Sequence, residues 1–327
     1  MRSWERRAHV KDTFQREITY LRISLTDLCN LRCVYCMPPE GVRKQTHDQI
    51  LSLEEIGEIA RAAVELGVKK IRLTGGEPLV RRGVLSLCRE LRRIPRLQEL
   101  TLTTNGLLLP GMAAELKAAG VDRVNVSLDT LNSEKYRRIT RGGCLEDALA
   151  GIQAARDAGL TPLKLNCVLI GGFNDDEIPA LAALTEREPV EVRFIELMPI
   201  GDTAGFGPDA YLPCEAVLER LPRLEPAAVE RAGVAERFCL PGATGTVGLI
   251  RPLSRCFCAQ CDRIRLTADG YLKPCLHSRE EISVRGLHGP DLRRRLEQAI
   301  RHKPKQHSQL SASARSESAR GMNQIGG

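Results

Sequence analysis

Aromatic residues are scarce in this 327-residue chain: 4% of the total, with a single Trp, beside only six His. Proteins that grip single-stranded nucleic acid interleave basic patches with stacking aromatics, so that class is disfavoured despite a formal charge of +7. No apolar run approaches the about 18 residues that a membrane-spanning helix needs. The N-terminal stretch carries Arg2, Arg6 and Arg7 but also Glu5, Asp12 and Glu17, and no apolar segment follows. It reads as neither a signal nor a transit peptide. Without an export signal, the twelve Cys are expected to stay reduced, by default in a bacterial cytoplasm, rather than to form a disulfide framework.

What is present is 43% hydrophobic residues, enough to build one large domain or two. From residue 21 to about 200, β-rich runs alternate with helical stretches. The expected strands are Leu21–Thr26, Lys70–Leu73, Glu99–Thr103, Val124–Leu128, Leu163–Ile170 and Glu191–Leu197. Ser52 with Glu55 makes a capping box that opens a helix over Leu53–Leu66. Ala113–Ala119 and Leu145–Ala158 each stop at a Gly. Six βα units in series predict parallel strands with helices outside, either a partial barrel or a doubly wound sheet. Beyond residue 201 the chain becomes rich in Gly, Pro and Asp, Leu292–Ile300 is helical, and residues 308–320 are polar enough to be expected flexible.

The cysteines divide into two clusters and five single residues, the latter given no role. Cys29-x3-Cys33-x2-Cys36 directly follows the first expected strand. Three thiolates in eight residues can wrap one metal centre, and their spacing suits a [4Fe–4S] cube with one open iron better than a zinc site. Cys258-x2-Cys261-x13-Cys275 is a second triad. Alone it favours zinc with His277 as a fourth ligand, and Cys256 is close enough to replace Cys258. Five cations alter that balance. Arg263 and Arg265 follow Cys261 and would point to one side of an extended stretch, Arg22 precedes Cys29 on its strand, Arg72 stands before a Gly-Gly turn, and Lys164 opens the fifth strand. Together they suit a polyphosphate.

Cys29-Asn30-Leu31-Arg32-Cys33-Val34-Tyr35-Cys36 resembles the cluster loop of the radical S-adenosylmethionine superfamily, and Thr74-Gly75-Gly76-Glu77-Pro78 is similar to its methionine-binding motif. In that motif the paired glycines admit close backbone approach and Glu77 is expected to accept from an ammonium. From about Tyr20 to the last residue the chain resembles one family within it, the GTP 3′,8-cyclases that open molybdenum cofactor biosynthesis. The stretches that carry this are Leu21–Ser24, Thr103–Gly106, Asn125–Asp129, Arg193–Met198, the second Cys triad and the Gly-Gly end.

The resemblance implies two [4Fe–4S] clusters, on Cys29, Cys33 and Cys36 and on Cys258, Cys261 and Cys275, the second with an open iron for the guanine of GTP. It implies S-adenosylmethionine contacts at Tyr35, Gly76, Ser127 and Met198, several through backbone atoms. GTP contacts are implied at Arg22, Arg72, Thr103, Lys164, Arg263, Ile264 and Arg265. Arg263, Arg265, Gly326 and Gly327 are the implied catalytic set, with the terminal glycines reaching into the site. A deoxyadenosyl radical would take hydrogen from C3′ of GTP, and the resulting radical would add to C8. The expected partners are GTP, an external one-electron donor and cyclic pyranopterin monophosphate synthase, which receives the product; a homodimer is allowed, and neither nucleic acid nor membrane is expected. Asp262 departs from the family's usual Asn and sets an acid beside the arginines.

The expected fold is therefore a partial (β/α)6 TIM-like barrel whose open side is closed by a C-terminal iron–sulfur segment. Its expected divisions are a leader over residues 1–20, the barrel over 21–230, the auxiliary cluster and substrate region over 231–307, and a flexible tail over 308–327. One rival is a different radical enzyme with an auxiliary cluster, acting on a peptide or tetrapyrrole, which gives no reason for Arg263, Arg265 or the Gly-Gly end. The other is a zinc-stabilised nucleic-acid-binding protein.

Overall fold

The computed structural model describes residues 10–201, 206–227, 233–307, 310–311 and 315–326. Six parallel strands form its centre: β1 (Tyr20–Ser24), β2 (Lys70–Thr74), β3 (Glu99–Thr104), β4 (Arg123–Ser127), β5 (Leu163–Leu169) and β6 (Val190–Glu196). Each lies within two residues of its expected bounds. The long helices between them are α1 (Leu53–Glu65), α2 (Val84–Arg92), α3 (Leu109–Ala118), α4 (Ser133–Thr140), α5 (Leu145–Asp157) and α6 (Ile178–Arg187). Ser52 and Glu55 make the expected reciprocal cap, at 3.1 and 2.8 Å. No helix among the described residues is long and apolar enough to cross a membrane.

The strands have two unlike faces. On β2 to β6 the residues turned toward the helices are apolar and fully buried, among them Ile71, Leu73, Leu100, Leu102, Val124, Val126, Val192 and Phe194. Each contributes about 1.5–3 kcal/mol of burial. The alternate positions carry Arg72, Thr101, Asn125, Lys164 and Glu191, also buried. Strand side chains alternate between faces, so this polar set shares the concave side. A TIM barrel normally fills that side with branched aliphatic residues; here it is a polar lumen.

Six more strands follow α7 (Glu215–Arg220), in two antiparallel groups. β7 (Glu225–Pro226) and β8 (Glu236–Cys239) lead to β9 (Thr246–Ile250), which joins β6 in parallel. β10 (Arg263–Leu266) joins β1 in parallel, then pairs with β11 (Tyr271–Lys273) and, beyond it, β12 (Ile282–Ser283). The sheet is open, with β9 and β10 at opposite edges of the six-stranded unit. Residues 251–262, which join them, must therefore cross the open side. This is the physical form of the closure, and the segment carries Cys256, Cys258 and Cys261. Helix α8 (Gly289–Arg301) packs on α1, and a short α9 (Met322–Ile325) ends the described chain. The leader's residues 1–9 and the expected boundary near residue 230 lie outside the described residues.

Glu196 secures the crossing. Its carboxylate is fully buried and accepts from the backbone of Cys214 (3.3 Å), Leu253 (2.9 Å) and Ser254 (3.0 Å), and from the Ser254 hydroxyl. Glu196→Ala would strand those donors, so a loss on the order of 3 kcal/mol is expected, read from the urea midpoint. A loss below about 0.5 kcal/mol would show that the segment holds without it.

Candidate active site

A cavity of about 520 Å³ occupies the lumen, and the described residues place at its wall Arg22, Arg72, Lys164, Arg263, Arg265 and the second Cys triad. The expected phosphate cations thus come together. Their register explains it: Arg22 sits opposite Arg72 on β2 and opposite Arg265 on β10, while Tyr20 sits opposite Arg263. Ile264, between the two arginines, turns its side chain into the hydrophobic core. Any contact that Ile264 makes with a ligand there would therefore run through its backbone. Thr103 is not on the cavity wall, but it is in register with Asn125, which is.

Sequence reading missed further lining residues: Lys70, Arg123, Asn125, Asn166, Arg193 and Lys303. The signal for all but Lys303, which follows α8, was the period-2 polar alternation in β2 to β6. Burial, with repulsion among neighbouring cations, pushes the Arg22 and Arg72 guanidiniums down to about 9 and Arg265 to about 10. Glu191 is the main internal counter-ion, meeting Lys164 at 3.0 Å, Arg193 at 2.5 Å and Arg237 at 2.7 Å. One carboxylate cannot neutralise three cations, and burial together with Arg193 lowers Lys164 to about 7. Asp262 adds little, since it accepts from the Thr19 hydroxyl at 2.9 Å and stands 3.7 Å from Arg263.

The first triad lies at the other end of the lumen. Its loop follows the C-terminal end of β1, whereas Cys258 and Cys261 precede β10, which runs parallel to β1. Gly75 and Gly76 after β2 press against this loop: Gly75 has φ +131°, and a Cβ on Gly76 would meet the Asp27 carbonyl at 2.7 Å. Glu77 has structural partners of its own. Its fully buried carboxylate accepts from Leu79 N (3.0 Å), Thr104 Oγ1 (2.9 Å) and Asn105 N (2.8 Å), and so ties the turn to β3. Tyr35 donates to Asp129 at 2.7 Å, leaving its backbone for any ligand. Ser127 ends β4, and Met198, just past β6, lines the cavity. These residues form an arc along the C-terminal ends of the strands.

Both triads fit iron–sulfur clusters. All six thiols are free and half-buried. Burial, then the neighbouring Cys29, raises Cys36 to about 12, so a cationic core is what would let these thiols act as thiolates. For Cys261, burial is outweighed by Lys303 and Arg263, which hold its pKa below the usual thiol value. Neither triad draws its sulfurs as close as a single ion would, which suits cubes with one thiol per corner. The lumen also keeps buried polar atoms without partners, namely Ser24 Oγ, Thr103 Oγ1, Asn125 Nδ2 and Asn166 Oδ1. Orphans of this kind cost about 1–3 kcal/mol each until a ligand pairs them.

The tail expected to be flexible, residues 308–327, is described in part. Residues 308–309 and 312–314 and Gly327 lie outside the described residues, but 315–326 are tied down. Arg320 makes two bidentate pairs, with Asp269 at 2.9 and 3.0 Å and with Glu281 at 2.7 and 2.7 Å, and stacks on Tyr271. Asn323 and Gln324 reach Asp27, each at 3.3 Å, and Arg265 Nη1 donates to the carbonyls of Ile325 (3.0 Å) and Gly326. Gly326 has φ +69° and lies against Thr74, so a side chain there would have no room. Lys303, after α8, bridges the carbonyls of Arg263 and Pro274 at 2.7 and 2.9 Å, and at the other terminus Arg16 donates to the Cys258 carbonyl at 2.7 Å. Nothing in the leader's composition signalled that contact.

Comparison with known proteins agrees with this geometry. Residues 23–185 match the Radical SAM superfamily and residues 190–309 match Molybdenum Cofactor Synthesis C. The GTP 3′,8-cyclase of Alkaliphilus oremlandii (strain OhILAs) is 50% identical over 321 residues, covering 97% of this chain and all of the relative. That of Peptoclostridium acidaminophilum is 54% identical over 301 residues, covering 91% and 93%. Two solved structures share the fold. Streptococcus suis SuiB has a TM-score of 0.61 at 14% identity, over 89% of this chain and 68% of its own. Tagged anSMEcpe with bound AdoMet has a TM-score of 0.56 at 12% identity, over 89% and 80%. A polar lumen between two thiol triads, in a chain half identical to such relatives along nearly its whole length, places the protein in the GTP 3′,8-cyclase family of the radical SAM superfamily.

Proposed function

We infer that the protein is a radical S-adenosylmethionine enzyme that converts GTP to (8S)-3′,8-cyclo-7,8-dihydroguanosine 5′-triphosphate, the first step of molybdenum cofactor biosynthesis. The observation that carries this is one cation-walled lumen with a thiol triad at each end. Cys29, Cys33 and Cys36 hold the cluster that binds S-adenosylmethionine, and Cys258, Cys261 and Cys275 hold the second. When bound, the first cluster and S-adenosylmethionine supply a carbon radical able to take hydrogen from C3′. An external one-electron donor serves the reaction, and cyclic pyranopterin monophosphate synthase takes the product; a homodimer is carried with this reading.

The chain's own part is binding and exclusion. Arg22, Arg72, Lys164, Arg263 and Arg265 hold the triphosphate, for which forked guanidiniums are suited. Asn125, Asn166 and Thr103 offer polar atoms to ribose and base. Gly326, seated on Arg265 beside Thr74, shuts water out near the reacting carbon. Tyr35, Gly76, Ser127 and Met198 orient the cofactor along the strand ends.

The direct test reconstitutes the protein anaerobically with iron and sulfide, reduces it, and adds S-adenosylmethionine with GTP, ATP or no nucleotide. Mass spectrometry is expected to find cyclised guanosine product with GTP alone. Deoxyadenosine formed equally in all three, without that product, would overturn the substrate assignment.

Lys164 gives GTP binding a pH signature. With its pKa near 7 in the free protein, Lys164 is largely neutral above that pH, and a triphosphate favours its charged form. Binding should take up a proton and weaken as pH rises from 7 to 9, by up to about tenfold per unit. Calorimetry in two buffers of different ionisation enthalpy measures the uptake. Lys164→Met should abolish it, and uptake that survives in this variant would assign the proton elsewhere.

The tail's seat depends on Arg320. In Arg320→Ala, amide exchange over residues 322–326 should speed up at least tenfold and product formation should fall mainly through kcat, with Arg320→Lys intermediate. Unchanged exchange in the Ala variant would show that the tip seats itself.

A further inference from the structure

One thiol of the crossing segment stands outside both proposed cluster triads. Cys256 is exposed, two residues before Cys258, and its Sγ lies 3.7 Å from Nε2 of His307. These two atoms and Cys258 Sγ all lie within 4.8 Å of one another, and no other trio of such donors among the described residues gathers so closely. The spacing is informative. An ion bound tetrahedrally at about 2.3 Å from sulfur and about 2.0 Å from imidazole nitrogen sets its S and N ligands about 3.5 Å apart. The 3.7 Å between Cys256 and His307 matches that edge. His307 is braced by the ring of His277, edge-on at 4.9 Å, and His277 is in turn 3.1 Å from the Ser316 hydroxyl. Two thiols and one imidazole make a soft donor set, suited to zinc, cobalt or ferrous iron and not to magnesium or calcium.

We propose that, in the chain lacking its second cluster, Cys256, Cys258 and His307 hold one soft divalent cation, zinc above all, with the fourth tetrahedral position open. Cys258 belongs to both ligand sets, so ion and second cluster exclude each other. That exclusion rests on the assignment of Cys258 to the cluster. A chain that meets zinc first is thereby barred from completing its substrate site.

Cobalt titration of the cluster-free full-length protein under argon tests the ligand set without any activity assay. One ion per chain is expected, with thiolate-to-cobalt charge-transfer absorption and the visible bands of a tetrahedral centre. Cys256→Ser and His307→Ala should each weaken binding at least tenfold, and Cys275→Ser should leave it unchanged. Cys256 is exposed, so its replacement does not disturb the core. Binding lost in Cys275→Ser or Cys261→Ser but kept in Cys256→Ser would put the ion on the other triad and overturn the proposal. The exclusion is read from iron content: zinc-loaded protein should take up about four irons on reconstitution instead of about eight, and zinc-exposed Cys256→Ser about eight. Full iron uptake by zinc-loaded wild type would refute it. If Cys258→Ser itself incorporates both clusters, the fault lies in the cluster assignment and not in the cobalt-defined site.

Discussion

Buried positive charge is the condition on which the rest of this structure depends. The lumen brings guanidiniums from β1, β2, β4, β6 and β10 toward one another, with Glu17, Glu99, Glu191 and Asp262 too few to balance them and the lysines beside them. Taking a charge out of water costs several kcal/mol unless a partner is supplied. The protein tolerates this because the opposite face of the same strands buries a continuous aliphatic layer under the helices. Alternation is what couples the two faces: each strand that places a cation inward places a Leu, Ile or Val outward. A polyanion entering the lumen therefore acts partly as a missing counter-ion, and affinity and stability come from the same electrostatic deficit.

Each terminus of the chain steadies the cysteines near the opposite end of the sequence. Arg16 holds the Cys258 carbonyl, and the C-terminal residues 323 and 324 hold Asp27, just before Cys29. Arg16 does this, and Arg320 anchors the tail to Asp269 and Glu281, with forked donors that satisfy several acceptors at once, which loses less side-chain entropy per bond than a Lys would. The crossing segment adds a third constraint through Glu196. Thiols placed on loops gain their geometry from these distant ties, since none of them lies inside a strand.

Much of this was legible in the sequence because its signals are local. The alternation in KIRLT and RVNVS, the Ser52–Glu55 cap and the two Cys spacings each need only a few residues to be read. The six central strands and the cations beside them followed. What could not be read depends on which edge a strand joins: β9 and β10 are short runs whose sequence names no neighbour, and only their pairing with β6 and β1 shows that the intervening loop spans the open side. The alternation that turns Arg263 and Arg265 to the lumen also turns Ile264 into the core between them. Arg320 sits in a polar stretch that composition labels flexible; the carboxylates that fix it, Asp269 and Glu281, lie 51 and 39 residues away.

The strengths of the tail's contacts are graded along its length. Arg320 is held by four charge-assisted hydrogen bonds, the class worth about twice a neutral bond. Beyond it, Asn323 and Gln324 make contacts of 3.3 Å, and Gly326 has no side chain to anchor. The tip rests on Arg265, itself one of the lumen's cations. One guanidinium thus ties the end of the described chain to the cation wall, and the clamp at Arg320 keeps Gly326 within a few residues of that wall although the contacts between them are weak.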